Sequence, residues 1–245
     1  MVEQKVDVSV VVPVHNEEDN ILPLVAEIHA ALDGKFAFEM VYVNDGSTDG
    51  TAEKLREARG KYPMLRAIRH EKACGQSAAV RTGVLHAHGD IICMLDGDGQ
   101  NDPADFPAMI DILRKAKPEE NLGLVAGWRH KRQDTFIRKV SSRTAFAVRA
   151  GLLRDKTPDT GCGSKVFLKD VFLCLPFFDH VHRFLPALMR REGYTVVSHH
   201  VNHRPRTAGV SKYGVWNRLW VSIADILGVM WLQRRMRLPS VKVEE

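Results

Sequence analysis

The sequence predicts an α/β fold: a Rossmann-like, mostly parallel sheet with helices on both faces, followed by an amphipathic C-terminal helix. Three observations predict it. Short, nearly continuous apolar runs alternate with amphipathic stretches up to Leu95, the pattern of strands buried on both faces. Polar, glycine-bearing clusters follow those runs, where chain turns at strand ends belong. The composition supplies a core and excludes disorder or collagen-like repeats: 44% of 245 residues are hydrophobic and 27% charged, with 18 Gly and 11 Pro.

Val6–Val14 is the first apolar run and the first strand. Asn16, Glu17, Glu18 and Asp19 then start a helix, with cap residues and acids in the first turn, where the helix dipole favours negative charge. Ile21, Leu22, Leu24, Val25, Ile28 and Leu32 follow at helical spacing, and Gly34 ends the segment. Phe38–Val43 is the second strand, closed by Asn44-Asp45-Gly46-Ser47. Thr48–Arg59 reads as a helix capped by Ser47 or Thr48, and Met64–His70 as the third strand. Gln76–His88 is a helix and Asp90–Leu95 a fourth buried strand. This βαβαβαβ order implies parallel strands, with ligands bound beyond their carboxyl ends. Farther on, Leu122–Ala126 and Tyr194–Val201 read as strands and Thr135–Leu153 as a basic helix. Ser164–Leu175 and Val181–Glu192 read as mixed or helical.

The net charge of +5 is uneven. Residues 129–149 and 202–238 each hold seven Lys/Arg against one Asp, so the rest of the chain is acidic. That suits a localised anionic partner. Nucleic acid is not expected, because no helix-turn-helix, zinc finger or RNP motif accompanies the charge. Cys74, Cys93, Cys162 and Cys174 form no C-x-x-C pair, and the histidines show no H-E-x-x-H spacing, so neither a zinc site nor a redox pair is expected. Asp7 and Pro13 interrupt the N-terminal apolar run before it reaches the length of a signal peptide, which leads to the expectation of a cytoplasmic chain.

Asp96-Gly97-Asp98-Gly99-Gln100 follows the fourth apolar run. Two carboxylates and an amide oxygen on a glycine-rich turn suit a hard divalent cation, Mg²⁺ or Mn²⁺, that keeps positions open for phosphate oxygens. A lone D-x-D is common; its place at a strand end is what gives it weight. The turn at Asn44–Gly46 offers another carboxylate, Asp45, able to accept a hydrogen bond from a base N–H.

Together, Val12-Pro13-Val14-His15-Asn16-Glu17-Glu18, Asn44-Asp45-Gly46-Ser47-Thr48-Asp49 and Asp96-x-Asp98-x-Gln100 resemble the family 2 glycosyltransferases of GT-A fold. Gly127-Trp128-Arg129, Asp159-Thr160-Gly161-Cys162-Gly163 and His182-Arg183-Phe184-Leu185-Pro186 resemble its polyprenyl-phosphate branch, which includes the dolichol-phosphate mannosyltransferases. The resemblance spans roughly residues 6–213. It implies that Pro13, His15, Glu17 and Asp45 hold the nucleoside of a UDP- or GDP-sugar, Glu17 at the ribose and Asp45 at the base. His15 stands where the family more often has Tyr. It implies that Asp96, Asp98 and Gln100 bind the metal and the diphosphate, that Arg129, Arg138 and Ser142 meet the acceptor phosphate, and that Asp159 is at a position proposed as a catalytic base. His182 and Arg183 fit equally well as lining of that site or as surface and capping residues.

The implied reaction is an inverting, metal-dependent transfer of a sugar to a polyprenyl phosphate. Departure of a nucleoside diphosphate builds negative charge, and the acceptor phosphate, with a second pKa near ~6, needs positioning more than deprotonation. Bidentate arginines suit that task. A sugar or protein hydroxyl acceptor is the alternative, with Asp159 as base. A non-catalytic nucleotide-binding module is the alternative of another class, disfavoured by the Asp96/Asp98 pair.

Residues 1–213 read as the catalytic domain and 214–245 as a separate amphipathic segment. Trp216, Leu219, Trp220, Ile223, Leu227, Met230 and Trp231 share a helical face, with Arg218, Ser222, Asp225 and Gln233 opposite. The run 219–232 is shorter than the ~20 apolar residues of a membrane span and contains Asp225. Tryptophans flanked by Arg204, Arg206, Lys212, Arg234, Arg235 and Arg237 favour an interfacial helix at the cytoplasmic face of a membrane. The same face also suits the chain's own core or a second copy in a homo-oligomer. The family members with long hydrophobic C-termini carry transmembrane helices, a feature not expected in this chain, which ends at Glu245.

Overall fold

The computed structural model describes residues 5–129, 151–153, 155–205 and 215–237, the stretch 215–222 as backbone only. Its centre is a seven-stranded sheet in the order β3-β2-β1-β4-β6-β5-β7. The strands are β1 Val8–Val14, β2 Phe38–Asp45, β3 Leu65–His70, β4 Ile91–Met94, β5 Leu122–Arg129, β6 Lys165–Leu168 and β7 Thr195–Val201. The longer helices are α1 Glu18–Leu32, α2 Thr51–Lys61, α3 Gln76–His86 and α4 Phe106–Lys115. Two short helices, α5 Lys169–Leu173 and α6 Leu185–Arg191, precede the last, α7 Val215–Arg235.

β1 is buried at every position, as its unbroken apolar run requires. Its side chains alternate: Val8, Val10, Val12 and Val14 pack in one core with α1, α2 and α4, and Val11 packs in the other with α3, α6 and α7. The one hydroxyl in the strand, Ser9, is satisfied, donating to Glu39 at 2.7 Å and accepting from the Gly89 N–H at 2.9 Å. The edge strands differ. β3 and β7 are mostly half-buried and exposed, with only Leu65 in β3 and Val196 and Val201 in β7 buried, matching their mixed sequences.

The order of the first four strands and three helices is as the sequence predicts, as are the strands at 122–126 and 194–201 and the helical character of 181–192; the boundaries and the segment 164–175 differ. The second helix begins at Thr51 rather than Thr48, because the hydroxyl of Ser47 and the amide of Thr48 serve the neighbouring loop instead. Ser164–Leu175 contains a central strand, β6, antiparallel to both β4 and β5. Four residues opening on a lysine carry too little periodicity to be read as a strand. β6 is also the one strand reversed against the rest, so its first residue, Lys165, reaches the same sheet edge as the carboxyl ends of β1, β2, β4 and β5. Most of the predicted basic helix 135–153 lies outside the described residues.

The described side chains of the C-terminal helix divide between a side packed on the fold and an outward side. Within its described side chains, Val229 is buried in the core shared with Leu153, Phe184 and Leu188. Ile226, Met230 and Leu232 pack against that core, and the polar Asp225 and Gln233 lie on the inner side. Asp225 stands 3.1 Å from His180 Nδ1, and Gln233 donates to the Leu153 carbonyl at 2.8 Å. Ile223, Leu227 and Trp231, one helical turn apart, are instead 41%, 60% and 61% exposed. No helix among the described residues is long and apolar enough to cross a membrane.

Candidate active site

The loops leaving β1 and β2 are stitched together. Asn16 sits at φ 55° and its amide donates to Ser47 Oγ at 2.9 Å, while its own side chain accepts from the Thr48 amide at 2.8 Å. The Glu17 amide donates to Thr51 Oγ1, and the Gly50 amide to the Glu18 carboxylate. His15 Nδ1 lies 2.7 Å from the Asp45 carbonyl, so this imidazole is tied to the β2 turn by its edge. Glu17 Oε2 accepts from Asn20 Nδ2 at 2.7 Å, and Pro13 is buried two residues before His15. The Pro13, His15, Glu17 and Asp45 expected at the nucleoside therefore share one corner of the molecule.

Asp45 does more than the sequence suggests. Its carboxylate accepts from the amides of Cys74 and Gly75, each at 2.8 Å, and stands 2.7 Å from His70 Nδ1. It thereby fastens β2 to the turn that leads into α3. His70 is steadied from behind by Thr82, 2.9 Å from Nε2.

Asp96, Asp98 and Gln100 occupy one turn after β4. Gly97 is forced to be glycine there, since a Cβ would stand 2.5 Å from Val14 Cγ1 and 2.9 Å from the Pro13 carbonyl. Asp96 accepts from Gln76 Nε2 at 2.8 Å, which ties the turn to the start of α3. It also presses on the loop before β6: a Cβ on Gly163 would lie 2.2 Å from Asp96 Oδ2. Burial, and then the charge of Asp98, push the Asp96 carboxyl above the usual carboxylate range, against the pull of Lys165, Arg129 and the Gln76 hydrogen bond. Two carboxylates under mutual repulsion on one turn fit a hard divalent cation, and Gln100 of the same turn donates through Nε2 to the Arg204 carbonyl at 3.4 Å.

The far side of the site comes from the end of β5 and the loop before β6. Arg129 and Asp159, expected respectively at the acceptor phosphate and as a catalytic base, pair with each other. Nε donates to Oδ2 at 2.6 Å and a terminal N–H to Oδ1 at 2.8 Å, with side-chain exposures of 12% and 8%. Burial alone would lower the Arg129 pKa; the Asp159 hydrogen bond and charge outweigh it and hold the guanidinium above its usual range. Arg138 and Ser142 lie outside the described residues.

Sequence reasoning missed a buried lysine here. Lys165 is 2% exposed, and its ammonium donates to the Cys162 carbonyl. Burial lowers its pKa, against the charges of Cys162, Asp96 and Asp159. The signal was present as a lone cation opening the apolar run Lys165-Val166-Phe167-Leu168, but it becomes legible only once that run is a central strand. Lys165 lines a cavity of about 290 Å³ with Asp96, Gln76, Thr160, His182 and Arg183, over an apolar side made by Met94, Phe184 and Ile226. His182 is thus part of the lining, 2.7 Å from Ser77 Oγ through Nδ1. Burial first, then the charges of Lys165, Arg183 and His180, push its pKa down to about 3, so it is neutral at physiological pH. A larger groove, between α6 and α7 and lined by Arg190, Arg191 and Arg234, contains none of these residues.

A family model for glycosyl transferase family 2 matches residues 9–175. The dodecaprenyl-phosphate galacturonate synthase of Rhizobium johnstonii is 35% identical over 97% of this chain and 70% of its own length. The undecaprenyl-phosphate 4-deoxy-4-formamido-L-arabinose transferase of Edwardsiella ictaluri is 32% identical over 85% of the chain, which spans 63% of that relative. Among solved structures, the mannosyltransferase PcManGT of Pyrobaculum calidifontis, in complex with GDP-Man and Mn²⁺, superposes with a TM-score of 0.67 at 20% identity. That superposition covers 97% of this chain and 67% of the mannosyltransferase, and the shared fold is GT-A.

Proposed function

The chain belongs to glycosyl transferase family 2, and on that premise we propose that it transfers a sugar, with inversion, from a nucleotide-sugar to a polyprenyl phosphate. The observation that carries this reading is the gathering of Asp96, the Arg129–Asp159 pair and Lys165 at one sheet edge, beside the loops that hold His15, Glu17 and Asp45. Relatives named for dodecaprenyl and undecaprenyl phosphates support the acceptor class.

In this reading the loops after β1 and β2 hold the nucleoside, Glu17 at the ribose and Asp45 at the base edge. Asp96, Asp98 and Gln100 would hold Mg²⁺ or Mn²⁺, which supplies positive charge to a departing diphosphate. The acceptor phosphate oxygen forms the new bond at the anomeric carbon as the bond to the diphosphate breaks. The nucleophile is already an anion at neutral pH, because a phosphate monoester loses its second proton near ~6. The work left to the protein is electrostatic: to seat one anion beside another. Arg129 stands at that place, oriented by Asp159. A carboxylate committed at both oxygens to an arginine is a poor general base, which favours a phosphate acceptor over a hydroxyl. The stripe Ile223, Leu227 and Trp231, beside Arg234, Arg235 and Arg237, suits the cytoplasmic surface of an anionic membrane where such a lipid resides.

The test is direct. Purified chain, Mg²⁺ or Mn²⁺, undecaprenyl phosphate and a panel of labelled UDP- and GDP-sugars should yield a labelled lipid from one donor. Absence of lipid product from every donor, with sugar transfer to a hydroxyl acceptor instead, would overturn the reading.

A further inference from the structure

Lys165 has no assigned role, and its burial calls for one. Taking an ammonium out of water is costly unless partners compensate. The sheet register places it opposite Met94 on β4 and Ala126 on β5, beneath the turn that bears Asp96 and near the end of β5 that bears Arg129. An ammonium has three N–H donors. Among the described residues, Lys165 donates to the Cys162 carbonyl and forms no ion pair. The acids nearby are already engaged: Asp96 accepts from Gln76, and Asp159 is held by Arg129. Lys165 and Arg183 bring two cations to the wall of the 290 Å³ cavity against the single carboxylate of Asp96, and His182 beside them is neutral. A concave site with this balance receives an anion.

We infer that Lys165 is a phosphate ligand, its remaining N–H groups contacting a phosphate oxygen of bound substrate in this cavity. The identity of that phosphate rests on the proposed reaction, which offers two: the diphosphate of the donor and the monophosphate of the acceptor.

The full-length Lys165→Met and Lys165→Arg variants test it. Methionine keeps length and bulk, removes the cost of burying a charge and gives up one hydrogen bond to the Cys162 carbonyl, so the variant should fold. Calorimetric affinities for UDP and GDP with Mn²⁺ form one arm, and the KM for undecaprenyl phosphate the other. Lys165→Met should lose about tenfold or more in one arm, the scale of a lost hydrogen bond to a charged group, and Lys165→Arg should recover part of it. Weakened nucleotide binding assigns Lys165 to the donor diphosphate; a raised acceptor KM with unchanged nucleotide affinity assigns it to the acceptor. A folded Lys165→Met protein with both quantities within about twofold of the parent would overturn the inference. Should methionine prevent folding, Lys165→Gln keeps a donor for the Cys162 carbonyl and is read by the same criteria. The calorimetric arm needs no turnover, so a parent protein that ignores undecaprenyl phosphate would count against the proposed reaction and leave Lys165 to be judged on nucleotide binding.

Discussion

Arg129 and Asp159 meet at two points, 2.6 and 2.8 Å, at the end of β5. The pairing joins two residues to which the family resemblance gives separate tasks, and it changes what each substitution reports. Asp159→Asn no longer removes only a carboxylate; it also releases the arginine. Breaking a buried pair at one partner costs up to about 3–5 kcal/mol, so Asp159→Asn should lower the melting temperature and raise the acceptor KM together. The pH profile of kcat/KM separates the roles. With Asp159 as a positioning residue the profile keeps its shape at reduced height; with Asp159 as general base its acid limb disappears.

Asp98→Asn should abolish transfer while circular dichroism stays native, because Asp98 is a half-buried turn residue outside both hydrophobic cores and asparagine keeps its size. It should also weaken Mn²⁺ binding, measured in the absence of sugar donor. EDTA should stop transfer reversibly. Full turnover in either case would remove the divalent cation from the reaction.

Asp45→Ala should now show two effects. Loss of a charged hydrogen-bond acceptor predicts nucleotide binding weaker by about 1.5–3 kcal/mol. Loss of the contacts to Cys74, Gly75 and His70 predicts a lower melting temperature as well. Scanning calorimetry and titration calorimetry on the same variant check both. A variant of parental stability would contradict the fastening role.

His182 gives the pH dependence of stability a sign. Its folded pKa of about 3 lies below the ordinary imidazole value of 6.5, so the unfolded chain binds the extra proton between those values. The His182 contribution is therefore fully present above pH 6.5 and is lost as pH falls toward 3. Urea midpoints taken from neutral to acid pH should fall less steeply for His182→Asn than for the parent. Identical slopes would show that His182 is not held neutral.

The exposed stripe on α7 makes a prediction about surfaces. Serine at Ile223, Leu227 and Trp231 together should leave the fold intact, since these side chains face outward. Binding to phosphatidylglycerol-containing vesicles in a sedimentation assay should drop by about tenfold or more and be salt-sensitive in the parent. Unchanged sedimentation would place the membrane contact elsewhere.

The parts of this molecule that could be read from sequence are those governed by local rules. The all-buried β1, the alternation through β4 and the three polar clusters at strand ends follow from hydrophobic period and turn chemistry. The parts that could not be read depend on what the chain meets later. β6 is a strand because β4 and β5 lie on either side of it, and the burial of Lys165 follows from that position alone. The inward Asp225 and Gln233 of α7 are set by His180 and the Leu153 carbonyl, distant partners that no helical wheel contains. Arg129 and Asp159 could each be singled out; their pairing depends on residue 159 meeting the end of β5 ahead of the antiparallel strand β6.

The central claim is that the acceptor is a phosphate anion which this site positions rather than deprotonates. It is tested most directly by offering the same lipid in two forms, undecaprenyl phosphate and undecaprenol, with the preferred labelled nucleotide-sugar and Mn²⁺. The account predicts labelled lipid from the phosphate and none from the alcohol. Comparable transfer to undecaprenol would contradict it.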